Sequence, residues 1–147
     1  MNAPLREFER SLPMQLLRAR EAAMSRFRPM LRKHGLTEQQ WRALRVLAAF
    51  PDIDASEIAE RSLLLPPSLS RILQFLTGQR LVRRTQDTND QRRSVFKLTA
   101  KGRRVFDAVA PDSEALYASI ADDFGEKRLA ALYELLAQFA SRVEASA

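Results

Sequence analysis

The chain has no cysteine and only one histidine among its 147 residues. The absence of cysteine excludes disulfides, thiolate metal sites and cysteine nucleophiles. The one histidine, His34, stands beside Gly35 at an expected helix end, where an imidazole can simply meet the last carbonyls. The sequence also has no glycine-rich phosphate loop, no paired metal-ligand motif and no nucleophile elbow. We therefore expect no enzyme activity, no metal site and no cofactor.

Long apolar runs are also missing, and the N-terminus is charged at Arg6, Glu7, Glu9 and Arg10. A membrane-spanning helix needs about 20 apolar residues, and a secretory signal needs an apolar segment behind its basic start. We expect a cytoplasmic protein without a membrane span. A length of 147 residues and a hydrophobic content of 46% suit one domain with its own core.

Positive charge is concentrated in the middle third of the chain. Residues 61–97 contain eight basic and two acidic residues, whereas the residues after 100 contain six basic and eight acidic ones. This distribution is expected if the middle third faces a polyanion while the C-terminal third has another role. A solvated basic face is the alternative, and charge alone does not decide between the two.

The first long segment of helical periodicity follows an N-terminal arm of about ten residues. Ser11 is the predicted helix cap, and large apolar residues recur at helical spacing until His34 and Gly35. Pro29 falls inside this segment and can kink it. The pattern predicts one long helix.

Two shorter helices are predicted from repeated capping signals. Thr37 followed by Gln40 is a capping box for a helix that ends at Pro51, and Asp54 followed by Glu57 repeats the device for the next helix.

A fourth helix is predicted to begin at Pro66 and Pro67 and to end near Gly78. One side of it is a buried stripe, and the other carries small polar residues and an arginine. The stripe comprises Leu69, Ile72, Leu73 and Leu76, and the outer face comprises Ser68, Ser70, Arg71 and Gln74.

The periodicity then changes to that of a β-hairpin over residues 81–98, with an Asx-rich turn at 87–90. Thr99 is the predicted cap of the following helix. Apolar stripes at helical spacing predict two long C-terminal helical regions, and Pro111 is expected to interrupt the first of them.

This order of elements predicts a mainly α fold with a small β-hairpin wing, a winged helix-turn-helix. The major groove admits one α-helix, and arginine can contact guanine bidentately there. A basic ribbon reaches the neighbouring backbone or minor groove, where it contributes salt-dependent affinity. The predicted DNA-binding residues are Ser68, Ser70, Arg71, Gln74, Arg83, Arg92 and Arg93.

Asp90-x-Arg92, followed by Leu98-Thr99 and then Gly102, resembles the wing motif of the MarR family of transcription regulators. Ser68-x-Ser70-Arg71 resembles the recognition-helix core of that family, and Leu81-Val82-x-Arg84 resembles the start of its first wing strand. The resemblance covers essentially the whole chain. It implies that Asp90, besides forming the turn, orients Arg92, which enters the minor groove.

Three positions depart from the family pattern. Leu63 occupies a turn position that is often glycine, Leu65 replaces the usual serine or threonine cap of the recognition helix, and Arg80 stands where a glycine normally precedes the wing. We expect these departures to alter the local geometry of DNA docking. Base preferences of relatives are therefore not transferred to this chain.

A narrower resemblance runs through residues 16–25, 27–29 and 36–42. These segments resemble the branch that represses operons for homoprotocatechuate (4-hydroxyphenylacetate) degradation. The resemblance implies an aromatic acid effector that binds between the dimerisation helices and the DNA-binding lobe. The candidate ligand-binding residues are Arg20, Met24, Phe27, Arg28, Trp41 and Arg45.

Several of these candidates have a purely structural alternative. Met24 and Phe27 suit the helical core. Arg20, if buried among them, needs an anionic partner, and a ligand carboxylate, Glu21 or an acid of a partner chain would serve. Trp41 and Arg45, one helical turn apart, suit either an aryl acid or a core tryptophan beside a surface arginine.

Taken together, the sequence predicts a single domain over residues 1–147, with a DNA-binding lobe at 36–102 and a dimerisation region at 1–35 and 103–147. In this hypothesis a homodimer represses an aromatic-acid operon by binding a pseudo-palindromic duplex and is released by a small phenolic or aryl-acid effector. The alternative is a winged-helix architectural or protein-interaction module without an effector.

Overall fold

The computed structural model describes residues 3–147, which form six α-helices and one two-stranded antiparallel sheet, preceded by a short 3₁₀ turn at Phe8–Arg10. This composition confirms the predicted mainly α fold with a hairpin wing. The elements are α1 (Leu12–Lys33), α2 (Glu38–Ala49), α3 (Ala55–Ser62), α4 (Pro66–Gly78), β1 (Val82–Gln86), β2 (Ser94–Leu98), α5 (Ala100–Phe124) and α6 (Glu126–Ala145).

The chain divides into two compact units, Met1–Ala110 and Pro111–Ala147, with the boundary inside α5. The first unit contains α1 to α4, the hairpin and the start of α5. The second contains the rest of α5 and all of α6, and the described side chains of α6 are exposed or half-buried. The helix-turn-helix and the wing therefore belong to one unit.

The capping signals are borne out to different degrees. The Thr37 hydroxyl accepts the N–H of Gln40, and the Gln40 side chain accepts the N–H of Thr37, so the box at the start of α2 is complete. Asp54 caps α3 through the N–H of Glu57. The Glu57 carboxylate accepts a hydrogen bond from Arg93, and a second capping box with Asp54 does not form. Ser11 is the N-cap residue of α1, as predicted, but its side chain forms no capping hydrogen bond.

Both internal prolines lie within continuous helices. Pro29 lies in the last third of α1, and Pro111 lies near the middle of α5. The prediction that Pro111 interrupts its helix was therefore wrong. A proline lacks one backbone N–H and crowds one carbonyl, and here α5 tolerates that cost in the middle of its 25 residues.

The core of the first unit lies between α2, α3, α4 and the base of the hairpin. It is built from leucine, isoleucine and valine side chains that the helical periodicity directs inward. Trp41 on α2 stacks on Phe106 on α5, with ring centroids 5.2 Å apart. The most deeply buried large side chains are Leu31, Leu44, Leu47, Ile58, Leu69, Leu76, Val82 and Val109.

The hairpin is attached to the helices at two places. Phe96 in β2 donates its N–H to the carbonyl of Ile53, just before α3, at 2.9 Å. At the other end, the Leu81 carbonyl accepts the N–H of Thr99. The Thr99 hydroxyl accepts the N–H of Gly102 and donates to the carbonyl of Arg80. Thr99 thus caps α5, as predicted, and also ties it to the first wing strand.

Within residues 3–147, no helix is both long and apolar enough to cross a membrane. The same residues contain no cluster of three or more histidine, cysteine or carboxylate side chains placed to hold a metal ion.

Candidate nucleic-acid interface

The outer face of α4 is polar and fully accessible. The backbone places Leu69, Leu73 and Leu76 against the core, so the residues between them point outward. Small hydroxyls and one guanidinium therefore cover this face, as the sequence predicted. The exposed side chains are Ser68, Ser70, Arg71 and Gln74.

An open groove of about 1340 Å³ separates this helix from the hairpin. The α4 side is lined by Ser70 and Gln74, and the hairpin side by Arg84, Arg92 and Arg93. Predicted DNA-binding residues from two elements thus share one concave surface. Ser68 and Arg71 are exposed on α4 outside the groove lining, so they extend the same polar face along the helix.

The strand register determines which hairpin arginines face the groove. Arg84 pairs with Phe96, whereas Arg83 pairs with Lys97. Successive residues of a strand point to opposite faces, so Arg83 and Arg84 point apart. Arg84 lines the groove and Arg83 does not. The sequence prediction named Arg83, and the period of two combined with the inward Phe96 would have favoured Arg84.

Arg93 is held by three carboxylates from two elements. Its Nε donates to Oδ2 of Asp54 at 2.8 Å, its Nη1 to Oδ2 of Asp87 at 2.9 Å, and its Nη2 to Oε1 of Glu57 at 3.3 Å. Asp54 is the N-cap of α3 and Glu57 lies in its first turn, whereas Asp87 begins the hairpin turn. The guanidinium therefore ties the wing to the helix-turn-helix.

The charges in this cluster reinforce one another. The hydrogen bonds that Arg93 donates to Asp54 and then to Asp87 raise the pKa of Arg93 above its usual range. The hydrogen bond from Arg93 and the N–H of Glu57 lower the pKa of Asp54. The N–H of Asn89 and then the Arg93 side chain lower the pKa of Asp87. All of these shifts favour the charged forms.

The turn aspartate Asp90 acts on the backbone in this structure. Its Oδ1 accepts the N–H of Arg92 at 3.0 Å, and its carbonyl accepts the N–H of Arg93 at 3.0 Å. Within the described chain, no hydrogen bond or ion pair engages the Arg92 guanidinium, and its side chain is exposed at the groove. Asp90 thus fixes the wing turn from which Arg92 projects. In the wing, the carboxylates orient the guanidinium of Arg93 and not that of Arg92.

Two of the departures from the family pattern have the backbone that glycine would adopt. Leu63 has φ 55°, and Arg80 has φ 62°, so both lie in the left-handed region. Glycine enters this region without a steric penalty. The third departure, Leu65, is the N-cap of α4 and provides no side-chain capping bond. At Leu63 and Arg80 the chain therefore adopts the backbone conformation that glycine usually provides, although both residues carry a side chain.

The candidate ligand residues of α1 include two arginines that are already paired. Arg20 donates to Oε1 of Glu38 at 2.7 Å. Arg28 forms a bidentate pair with Glu21 at 2.7 and 2.8 Å and also reaches Oε2 of Glu38 at 3.2 Å. Arg20 is 42% exposed, so it is not the buried cation that the stripe suggested. Glu38, the first residue of α2, is the acid that the sequence analysis did not identify.

The pairing affects the carboxylates. Burial opposes ionisation of Glu38, but the hydrogen bond and charge of Arg20, with those of Arg28, outweigh it and lower its pKa. The bidentate bond from Arg28 lowers the pKa of Glu21. This cluster therefore joins α1 to α2 with its positive charges already matched.

The remaining candidates divide into core and surface. Phe27 and Trp41 are buried, and Met24 is half-buried. Arg45 is exposed one helical turn after Trp41, and no ion pair or hydrogen bond engages its side chain in the part of the chain that the structure describes. Arg45 is thus the candidate cation that remains open to a carboxylate.

Known proteins resemble this chain in sequence and in fold. A family model described as the MarR family matches residues 34–93, which include α2 to α4, β1 and the hairpin turn. The homoprotocatechuate degradative operon repressor of Escherichia coli is 41% identical over 129 residues, which are 88% of this chain and 87% of that protein. The chain belongs to the MarR family. Its relatives are transcription regulators and not enzymes. They confirm two predictions, that the chain is not an enzyme and that it is a DNA-binding winged helix.

Two solved structures extend the comparison. NadR in complex with 4-hydroxyphenylacetate has a TM-score of 0.79 and 36% identity and covers 94% of this MarR chain and 98% of its own. The repressor CouR bound to a 23-mer DNA duplex has a TM-score of 0.79 and 28% identity, with coverage of 94% and 99%. The 41% identity to the homoprotocatechuate degradative operon repressor confirms the resemblance noted in the sequence.

Proposed function

We propose that this MarR regulator is a dimeric repressor that binds a pseudo-palindromic operator and leaves it when a small aromatic acid or phenol binds. One observation carries the proposal: Ser70 and Gln74 on the polar face of α4 line a single groove with Arg84 and Arg92. An α-helix fits the major groove, and arginines beside it reach the backbone or minor groove.

The division of roles within this interface follows from the chemistry of each residue. Arg71, beside Ser68 and Ser70 on α4, is placed to contact base edges or phosphates, and Arg92 on the wing is placed to contact the backbone or minor groove. Arg92→Ala should weaken binding to every duplex and reduce the salt slope by about 1. Arg71→Ala should also relax base preference. Identical behaviour of the two variants would contradict the assignment.

Dimer formation is supported by the apolar side chains of α6. Leu132, Leu136, Phe139 and Val143 recur at helical spacing and are 39 to 52% exposed in the single chain. An apolar stripe of this kind favours burial against a second copy. We propose that residues 1–147 act as one winged helix-turn-helix domain, with a lobe at 36–102 and a dimerisation region at 1–35 and 103–147. A two-fold dimer would then place its recognition helices about 34 to 36 Å apart.

The effector is proposed to be an aryl or phenolic acid that contacts Arg45 and Trp41. The relative NadR has been crystallised with 4-hydroxyphenylacetate, which supports this chemical class. Arg45 offers an open guanidinium for the carboxylate, and the buried Trp41 lies one helical turn away, stacked on Phe106. Arg20 and Arg28 are held by Glu21 and Glu38, so they support the site through α1 and α2.

Calorimetry with phenylacetate, 4-hydroxyphenylacetate and homoprotocatechuate tests the effector proposal. At least one acid should bind, and Arg45→Ala should abolish binding, whereas Arg18→Ala, an exposed control on α1, should not. The absence of binding by all three acids would contradict the effector and leave the DNA proposal standing.

Binding to the promoter region of the protein's own gene neighbourhood, compared with scrambled DNA at fixed salt, tests the repressor itself. Clear preference for the promoter is expected. Equal affinity for both would contradict sequence-specific regulation and favour an architectural module. Because such a regulator acts on DNA in the cell, the proposal includes a cytoplasmic location.

A further inference from the structure

Two exposed leucines lie in the turn between α3 and α4, beside the polar face of α4. Leu63 is 85% exposed and Leu65 is 73% exposed, while Leu64 between them is buried. Both exposed leucines line the same groove as Arg84 and Arg92. Single exposed leucines are common on proteins, but this pair lies at the start of the helix that is proposed to read DNA.

The backbone of Leu63 indicates that this arrangement is retained at a cost. Its φ of 55° lies in the left-handed region, where a Cβ atom is strained and glycine is not. Strain of this kind collects at functional positions. An exposed leucine contributes little to the stability of the core. Contact with a bound molecule would account for a leucine at this strained position.

The start of α4 lacks the usual polar means of contacting DNA. Leu65 provides no side-chain cap, and Pro66 and Pro67, which follow it, have no backbone N–H. Two of the N–H groups that a helix N-terminus can direct at a phosphate are therefore missing here. The exposed side chains from Leu63 to Pro67, just before Ser68, are all apolar.

Only one feature of the major groove matches an apolar surface. The 5-methyl group of thymine is exposed there, and apolar side chains read it by direct contact. Residues at the N-terminus of a recognition helix are those that approach base edges. Arg84 and Arg92 line the same groove, and no ion pair engages either side chain within the described residues, which favours a polyanion over an apolar protein partner.

We propose that Leu65, assisted by Leu63, is a specificity-determining residue that recognises thymine through its 5-methyl group. This inference rests on the proposed function, because it requires α4 to enter the major groove. It specifies thymine as a recognised base, which the polar residues of α4 do not specify.

The test begins with duplexes selected from a randomised library by the full-length protein. In the best duplex, each thymine is replaced in turn by uracil, which removes only the methyl group. At one or more positions the wild-type protein should bind the uracil duplex about four-fold more weakly, the ratio expected for burying one methyl-sized group. Leu65→Ala should bind the thymine and uracil duplexes equally.

Two further variants separate recognition from folding. Leu63→Gly suits the left-handed backbone, so its thermal midpoint should rise while its preference for thymine falls. Leu5→Ala changes a leucine that is 96% exposed in the N-terminal arm, and its thymine preference should equal that of the wild type. Thermal melts of all variants check that each is folded.

The outcomes are distinct. If the wild type binds thymine and uracil duplexes equally at every position, or if Leu65→Ala keeps the discrimination, the inference is overturned while sequence-specific binding stands. If selection yields no preferred duplex, the proposed function itself fails, and this inference fails with it.

Discussion

Nε of Arg93 on the hairpin lies 2.8 Å from Oδ2 of Asp54, the residue that caps α3. The same carboxyl group accepts the N–H of Glu57 through its other oxygen at 2.9 Å. One side chain therefore caps the first helix of the helix-turn-helix and holds the wing. Because Arg92 is the next residue back along the chain, the position of the wing arginine depends on this contact.

Replacing Arg93 by alanine should affect both stability and DNA binding. The change leaves Asp54, Asp87 and Glu57 without their shared cation, so the thermal midpoint should fall by a few degrees. The wing should also lose its fixed position, and DNA affinity should fall with it. Lysine at this position should restore only part of the loss, because an ammonium lacks the planar fork of arginine.

Arg92→Ala is the matched control for that experiment. Arg92 is exposed and contributes no ion pair to the described fold, so its removal should weaken DNA binding without lowering the thermal midpoint. Thermal melts and anisotropy titrations measure both quantities for each variant. Equal thermal midpoints for Arg93→Ala and the wild type would contradict the anchoring role.

The lowered pKa of Asp54 predicts a pH dependence with a definite sign. The pKa is lowered first by the hydrogen bond from Arg93 and then by the N–H of Glu57, from an ordinary value of 3.8. A carboxyl group whose folded pKa is depressed stabilises the fold above its unfolded pKa, and this contribution disappears as pH falls through the folded pKa. Asp87, also lowered, adds in the same direction.

Denaturant titrations from about pH 7 to about pH 3 test this dependence. Asp54→Asn keeps an N-cap residue but removes the titrating group, so its stability should change less with pH than that of the wild type. Parallel curves for the two proteins would show that Asp54 does not contribute to acid sensitivity.

Gly102 should tolerate no side chain. A Cβ atom there would overlap the carbonyl oxygen of Leu81, which joins the first wing strand to α5. Gly102→Ala should therefore lower the free energy of unfolding by about 1 to 3 kcal/mol, as overpacking does. Gly78 is the control, because a Cβ there meets nothing within 4 Å. Gly78→Ala should be neutral or stabilise by up to about 1 kcal/mol, and a loss equal to that of Gly102→Ala would contradict the explanation.

A charge within the apolar stripe of α6 should weaken the proposed dimer. Phe139→Glu places a carboxylate among Leu132, Leu136 and Val143, where burial against a second chain would be costly. Analytical ultracentrifugation should show a shift towards monomer. Gln138→Glu changes an exposed neighbour that lies off this stripe and should leave the dimer intact. A wild type that sediments as a monomer at all concentrations would contradict the proposed assembly.

Local rules predicted most of the fold. The capping box at Thr37 and Gln40 involves residues three apart, so its spacing was sufficient. The same applies to the stripe of α4 and to the two strands around an Asx-rich turn, which follow from residue preference and period. Pro111 was misjudged because a local rule against proline in helices does not measure what the rest of a long helix contributes.

Contacts between distant residues could not be predicted in the same way. Glu57 bonds Arg93, which is 36 positions away, so the capping box expected from its spacing did not form. Arg20 and Glu38 are 18 positions apart and meet only because α1 and α2 pack together. Spacing identifies which residues can be partners within one element, and only the fold determines partners between elements.

The most direct test of the account is the binding of a labelled duplex from the protein's own promoter region at fixed salt, measured without and with 4-hydroxyphenylacetate or homoprotocatechuate. The account predicts affinity at least about 1,000-fold above that for scrambled DNA. It also predicts a reduction of about 5- to 150-fold when an effective acid is added. Equal binding of promoter and scrambled duplexes, unchanged by either acid, would contradict it.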